Sequence, residues 1–177
     1  MDKQQFMELC QATRGAGWAS SDEEIWEVGS RVLALNPHTR ILEVGVEAGK
    51  SLRIWEVIAG PEGVVVGVDL NDNTGQQYFD KRPLIITGDS KDPATLARVE
   101  EVVPVLDFLF IDGDHSYEGV SSDYNTYSPL VRPGGLVGFH DLRIAEIARF
   151  FSSIPFQKHI WDAGSYGIGL VHIPEEE

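Results

Sequence analysis

Two stretches in the second half of the chain hold residue types that act on hydroxyl groups and cations. Asp112, Asp114 and His115 fall together in IDGDHSY, and His140 and Asp141 close GFHD. Each group follows an apolar run, so it stands at the carboxyl end of a strand. If the two strands are neighbours, Asp112 and Asp141 share one rim. Two carboxylates beside an imidazole can hold a hard divalent cation while leaving positions for water or substrate. His115 has the unperturbed pKa of a general base near neutrality. The other reading of Asp114 and His115 is structural, since such residues after a strand also cap the following helix.

A second chemistry is written earlier, in RILEVGVEAGKS (40–51). Ile41, Leu42 and Val44 supply a strand, and Gly45 and Gly49 allow a tight turn and close approach to a ligand. Such a turn leaves backbone N–H groups at a helix start, a seat for a polar or anionic ligand. Asp69 follows the apolar run in VVVGVDL (64–70), 24 positions after Gly45, close to the spacing at which an acid meets ribose hydroxyls in nucleotide-binding βαβ units. The pair predicts an adenosine-type ligand. Glu43 occupies the first glycine position of a dinucleotide turn, giving E-x-G-x-x-x-G; a carboxylate there would repel a pyrophosphate and suit a cationic ligand. Taken alone, the stretch also fits any α/β domain with a glycine turn after its first strand.

The elements that position these residues follow from periodicity. Residues 1–39 read as a helical segment: Phe6, Met7, Leu9 and Cys10 suggest a short helix, and 15–18 a loop. A capping box at Ser20 and Ser21 starts a helix carrying Ile25, Val28, Val32 and Leu35, which Asn36-Pro37 stops. After the glycine turn, Leu52, Ile54, Trp55 and Ile58 mark a helix that ends at Gly60-Pro61. Strands are expected at Val64 to Val68 and Leu84 to Thr87, with a polar segment at 71–83 containing a short helix between them. Asp92-Pro93 opens a helix, and VLDFLFI (105–111) is nearly continuous in apolar residues, the mark of a central parallel strand. A helix from about Glu118 to Val131, a strand at Leu136 to Phe139, a helix at Leu142 to Ser152 and a hairpin of Phe156–Trp161 with Ile168–Ile173 complete the order. Alternating β and α elements followed by a hairpin predict a doubly wound, Rossmann-like α/β fold, seven-stranded and mostly parallel, with a C-terminal antiparallel hairpin. At 177 residues, one domain spanning 1–177 is expected, with its core at 40–177.

Composition narrows the partners. A net charge of -14 argues against nucleic acid, because phosphate binding needs clustered Lys and Arg. The single cysteine, Cys10, excludes an internal disulfide and a multi-cysteine zinc site. MDKQQFMELC has no long apolar run, and no stretch reaches a membrane span of roughly 20 apolar residues, so a cytoplasmic chain without a membrane partner is expected. A homodimer is the expected assembly, two-fold pairing being the commonest.

The E-x-G-x-x-x-G turn resembles the first motif of the class I S-adenosylmethionine-dependent methyltransferases. IDGDHSYEGVSSDY…LVRPGGLVGFHD looks like a small metal-dependent O-methyltransferase-like subgroup, related to macrocin-type sugar O-methyltransferases and cephalosporin-hydroxylase-like proteins. The resemblance covers roughly Arg40 to Asp141. It implies that S-adenosylmethionine is held by Glu43, Gly45, Gly49, Ser51, Asp69, Leu70, Asp89, Ser90 and Asp112, with Asp89 on the adenine amino group and a neighbouring backbone N–H on the ring. Asp89 could instead cap its own turn. Acids at the positions of Asp112 and Asp141 bind a divalent ion in metal-dependent relatives, usually magnesium. The position of His140 is often acidic there, and an imidazole opens the site to manganese or places His140 outside the metal shell. The implied reaction is methylation of a small-molecule hydroxyl, with Asp112 and His115 as its catalytic groups. Tyr117, Trp161 and Tyr166 could wall an acceptor pocket, and Lys50 could meet a ligand carboxylate. The runner-up readings are an inactive adenosine-binding accessory domain and an NAD-linked oxidoreductase, the latter disfavoured by Glu43.

Overall fold

Leu106–Ile111 (β4) is buried at all six positions. A strand buried on both faces needs sheet neighbours at both edges and helices above and below. The computed structural model, which describes residues 1–13, 22–35, 38–73, 84–162 and 166–175, supplies both. β4 lies between Arg40–Val44 (β1) and Val131–Phe139 (β5), parallel to each. Val64–Asp69 (β2) and Leu84–Thr87 (β3) extend the parallel sheet beyond β1. On the far side, Ile168–His172 (β7) runs antiparallel to β5, and Lys158–Trp161 (β6) runs antiparallel to β7. The order is β3-β2-β1-β4-β5-β7-β6, the expected seven-stranded sheet with its closing hairpin.

Side-chain alternation along the strands divides the core between two faces. Ile41, Phe108, Phe110, Leu136 and Leu170 face Lys3–Thr13 (α1), Asp22–Leu35 (α2) and Lys50–Ala59 (α3), together with buried Cys10. Trp55 of α3 meets Phe108 and Phe110 edge-on, each at 5.1 Å between ring centroids. Leu42, Val44, Leu109, Val137 and Phe139 face the helices Pro93–Val102 (α4), Tyr117–Tyr127 (α5) and Ala145–Ser153 (α6). The sheet is doubly wound.

Three boundaries differ from expectation by several residues. The helix expected to reach Val131 ends at Tyr127 and tightens into a 3₁₀ turn, Ser128–Leu130. Pro129 has no N–H to continue the α-helical hydrogen bonding, although Ser128 keeps helical backbone at φ -62°, ψ -28°. The Arg132–Gly135 stretch belongs to β5 rather than preceding it, because Gly134 N–H donates to the Ile173 carbonyl and Ile173 N–H to that of Gly135. The last helix starts at Ala145, not Leu142; the Leu142 and Arg143 N–H groups donate to the carbonyls of Gly167 and Tyr166, which ties the segment before the helix to the chain entering β7. The expectations for 15–18, for the caps at Ser20-Ser21 and Asn36-Pro37, and for most of 71–83 lie outside the described residues. Among the described residues, no helix is long and apolar enough to cross a membrane.

Candidate active site

Five parallel strands bring five carboxyl ends to one rim, and the connection order reverses between β1 and β4. Ligands of open α/β sheets bind at that reversal. A cavity of about 360 Å³ opens there, lined by Gly45, Asp69, Leu70, Asp89, Ser90 and Asp112 of the expected cofactor set, with Glu47, Lys91, Gly113 and Asp114. Its size suits a ligand of nucleoside dimensions. Gly45 adopts φ 85°, and a Cβ on it would overlap the Asp112 carbonyl, so only glycine lets the ends of β1 and β4 approach this closely. Leu70 stays exposed at the lip, an apolar surface open to a flat ring.

The rest of the expected cofactor set lies elsewhere. Glu43 alternates onto the α3 face with Ile41 and is fully buried, its carboxylate hydrogen-bonded by Ser51 Oγ. Burial pushes its pKa well up, against the lowering by that bond. Glu43 and Ser51 therefore brace the turn from beneath, and Glu43 does not line the cavity. Gly49 is the left-handed N-cap of α3, at φ 83°. The expected free N–H groups of the turn are partly engaged: Asp69 Oδ2 accepts from Val46 N at 2.8 Å and Glu47 N at 2.9 Å. Asp69 Oδ1 accepts from Asn71 N, which leaves this carboxylate limited acceptor capacity for a diol. Asp89 lies at the cavity wall and also accepts from Lys91 N, within its own turn.

The acid-histidine groups converge as the strand order requires. His115 Nε2 is 3.1 Å from Asp141 Oδ2 and 3.8 Å from Asp112 Oδ1. His140 Nδ1 is 3.1 Å from Asp112 Oδ1 and 3.2 Å from Asp141 Oδ2. Burial raises Asp112, but the two imidazoles outweigh it and hold the carboxyl below its usual range. Burial lowers His140, and the two carboxylates reverse this to about 10. The Asp112 hydrogen bond, opposed by burial, raises His115. Asp141 turns its carboxylate inward from a left-handed backbone, φ 58°, a conformation that aspartate tolerates better than most residues.

Ligand atoms of Asp112, His115 and Asp141 all lie within 4.8 Å of one another. One cation with bonds of about 2.3 Å could touch all three, and the two oxygens suit a hard ion. The residues present fit a divalent cation. The expected metal set had His140 in place of His115. His140 is only 4% exposed and sits with its Nδ1 between the two acids, whereas His115 faces solvent.

Of the three aromatics, only Tyr166 stands at the cluster, stacked on His140 at 5.9 Å. Tyr117 packs edge-on to Phe150 beneath Arg149, and Trp161 lies under Arg31 beside His159. Sequence reasoning missed the Lys91–Asp114 ion pair, 3.0 Å, at the cavity wall; the Ser116 N–H, seconded by this lysine, holds Asp114 down at about pKa 2. It also missed Asp123 and Tyr127 beneath Ser90. A polar residue and a tyrosine one turn apart on the buried face of a helix was the available signal.

Residues 42–142 match the family model described as a methyltransferase domain, and the chain belongs to that family. Demethylmacrocin O-methyltransferase of Streptomyces fradiae is 31% identical over 114 residues, 60% of this chain and 28% of that enzyme. The chain thus matches little more than a quarter of that relative's length. The O-methyltransferase from Bacillus cereus, solved with SAH, has a TM-score of 0.70 at 17% identity, covering 97% of this chain and 90% of that one. The MycE methyltransferase of the mycinamycin pathway, solved with Mg, SAH and mycinamycin VI, has a TM-score of 0.63 at 21% identity, covering 86% of this chain and 55% of that one.

Proposed function

We propose that residues 1–177 act as one domain that transfers a methyl group from S-adenosylmethionine to a hydroxyl of a small molecule, assisted by a divalent cation. The observation that carries this is the double position of Asp112, which lines the nucleoside-sized cavity and belongs to the acid-histidine cluster. A methyl donor seated in the cavity would have its reactive end beside a hydroxyl held at the cluster. Solved relatives carry SAH, and one also carries Mg, in support of both ligands.

In this reading Asp69 and Asp89 accept from the hydroxyls and the amino group of the adenosine, and Leu70 covers the ring. Asp112 and Asp141 hold the cation, magnesium or manganese, and protonated His140 offsets their charge from below. A bound cation would lower the pKa of the acceptor hydroxyl. His115, nearly half exposed, would take the proton at Nε2 once the cation offsets the carboxylates that raise its pKa. The clustering of its Nε2 with both carboxylates favours a second reading, with His115 as third ligand. The acceptor class follows the curated relative, named for O-methylation of demethylmacrocin. A homodimeric, cytoplasmic protein completes the proposal.

Calorimetric titration of S-adenosylhomocysteine, with magnesium, with manganese and with a chelator, is the test. Micromolar binding that survives chelation, with a separate manganese heat lost in Asp112→Ala, is the expected result. No binding of S-adenosylhomocysteine, with NAD binding in parallel, overturns the proposal in favour of an oxidoreductase. Cofactor and metal binding without methylation of any hydroxyl acceptor would favour the accessory-domain reading.

A further inference from the structure

Ser90 stands in the cavity wall next to Asp89, yet its polar groups are gripped from behind. Asp123 Oδ1 accepts from Ser90 Oγ at 2.6 Å, and Tyr127 OH donates to the Ser90 carbonyl at 2.9 Å. Asp123 is 1% exposed and Tyr127 fully buried, so two polar side chains on the inner face of α5 are committed to one residue of the opposite loop. Apolar residues would fill that face without the desolvation of a carboxyl and a phenol. The other oxygen, Asp123 Oδ2, is buried without a hydrogen-bond partner. It stands against Gly113, also in the cavity wall, where a Cβ would come within 3.1 Å of it. The helix therefore touches both walls of the cavity, the loop after β3 and the loop after β4.

We infer that Asp123 and Tyr127 are positioning residues, a clamp on Ser90 that sets the nucleobase end of the cavity and its preference for adenine. The inference rests on the proposed adenosine cofactor. Neither residue lines the cavity, so the clamp acts through Ser90. With the Ser90 side chain drawn toward α5 and its carbonyl fixed, the segment from Asp89 to Lys91 has one backbone path, and the Asp89 carboxylate one position. Loss of either bond lets that segment drift, and the discrimination between a 6-amino and a 6-oxo purine suffers with it.

The experiment compares S-adenosylhomocysteine with S-inosylhomocysteine, which replaces the 6-amino group by an oxo group, on the full chain and on Tyr127→Phe and Asp123→Asn. The unaltered chain is expected to favour the adenine ligand. Tyr127→Phe, which removes one oxygen atom, should weaken S-adenosylhomocysteine by about three- to tenfold, the worth of one hydrogen bond. The oxo ligand should weaken less, so the preference narrows, and manganese affinity should stay unchanged. A general loss of folded protein would weaken both ligands equally and leave their ratio intact. An unchanged preference in Tyr127→Phe overturns the clamp, whether or not Asp123→Asn folds. An unaltered chain that binds neither ligand overturns the cofactor proposal itself.

Discussion

His115 Nε2 lies 3.1 Å from Asp141 Oδ2, which joins the loop after β4 to the end of β5 across the active-site rim. Asp141 reaches that point only through its left-handed backbone, and the turn is pinned by the Gly167 and Tyr166 carbonyls that receive the N–H groups of Leu142 and Arg143. If His115 is the base and Asp141 a cation ligand, the two should separate in mutants. His115→Gln should lower turnover by about 10²- to 10⁴-fold with manganese affinity nearly intact. Asp141→Asn should weaken manganese by roughly 100-fold. Manganese titrations beside single-turnover rates decide it: lost manganese binding in His115→Gln would make the histidine a ligand.

Gly45→Ala should damage stability and cofactor binding together. At φ 85° an alanine costs about 1–2 kcal/mol in backbone strain, and its Cβ must also displace the Asp112 carbonyl. A fall in melting temperature of several degrees is expected, with weaker S-adenosylhomocysteine binding, because the β1–β4 spacing shapes the cavity. Gly49, at φ 83° but off the cavity wall, is the control for strain alone. If Gly49→Ala impairs binding as much as Gly45→Ala, the overlap with Asp112 is not the cause.

The sheet was legible because the unbroken apolar run of β4 admits only a central, doubly covered strand, and the rim acids because each follows an apolar run directly. Other features depend on contacts that leave no local mark. Glu43 shares its parity with Ile41, which puts it under α3, yet its position beside the glycine turn suggested a ligand group. The choice between His115 and His140 turns on burial, which two histidines after two strands do not reveal. Arg132–Gly135 has the composition of a turn and becomes strand only because Ile173, far along the chain, pairs with it. The grip of α5 on Ser90 is equally non-local.

At the opposite end of β4, Asp107 ties the sheet together. Its Oδ2 accepts from Arg40 N at 2.8 Å and Arg40 Nε at 3.0 Å, and its Oδ1 from Arg132 Nε at 2.6 Å. Burial raises its pKa, and the arginines outweigh burial and leave it below the ordinary 3.8. A carboxyl whose folded pKa is depressed contributes stability above the unfolded value and loses it as pH falls through the folded one. Asp107→Asn should therefore cost about 2 kcal/mol near neutrality and progressively less below about pH 4, with S-adenosylhomocysteine affinity unchanged. Denaturant melts at both pH values check this, and an equal loss at low pH would rule out the charge as the cause.

Asp123 should show the opposite pH dependence. Burial lifts its carboxyl from 3.8 to about 6, against the Ser90 hydrogen bond and the charge of Lys91, and with Asp114 and Asp89 adding to the lift. The folded state thus holds the proton more tightly than the unfolded state, so stability is greatest below the unfolded pKa and falls as pH rises through the folded one. Two pKa units correspond to about 3 kcal/mol, lost between roughly pH 4 and pH 7. Asparagine cannot ionise, so the stability of the unaltered chain relative to Asp123→Asn should fall by up to that amount over this window. Tyr127→Phe, which keeps the acid, should retain the slope. A constant difference between the unaltered chain and Asp123→Asn would mean that the buried acid ionises as readily as in the unfolded chain, and the desolvated carboxyl beneath Ser90 would lose its thermodynamic support.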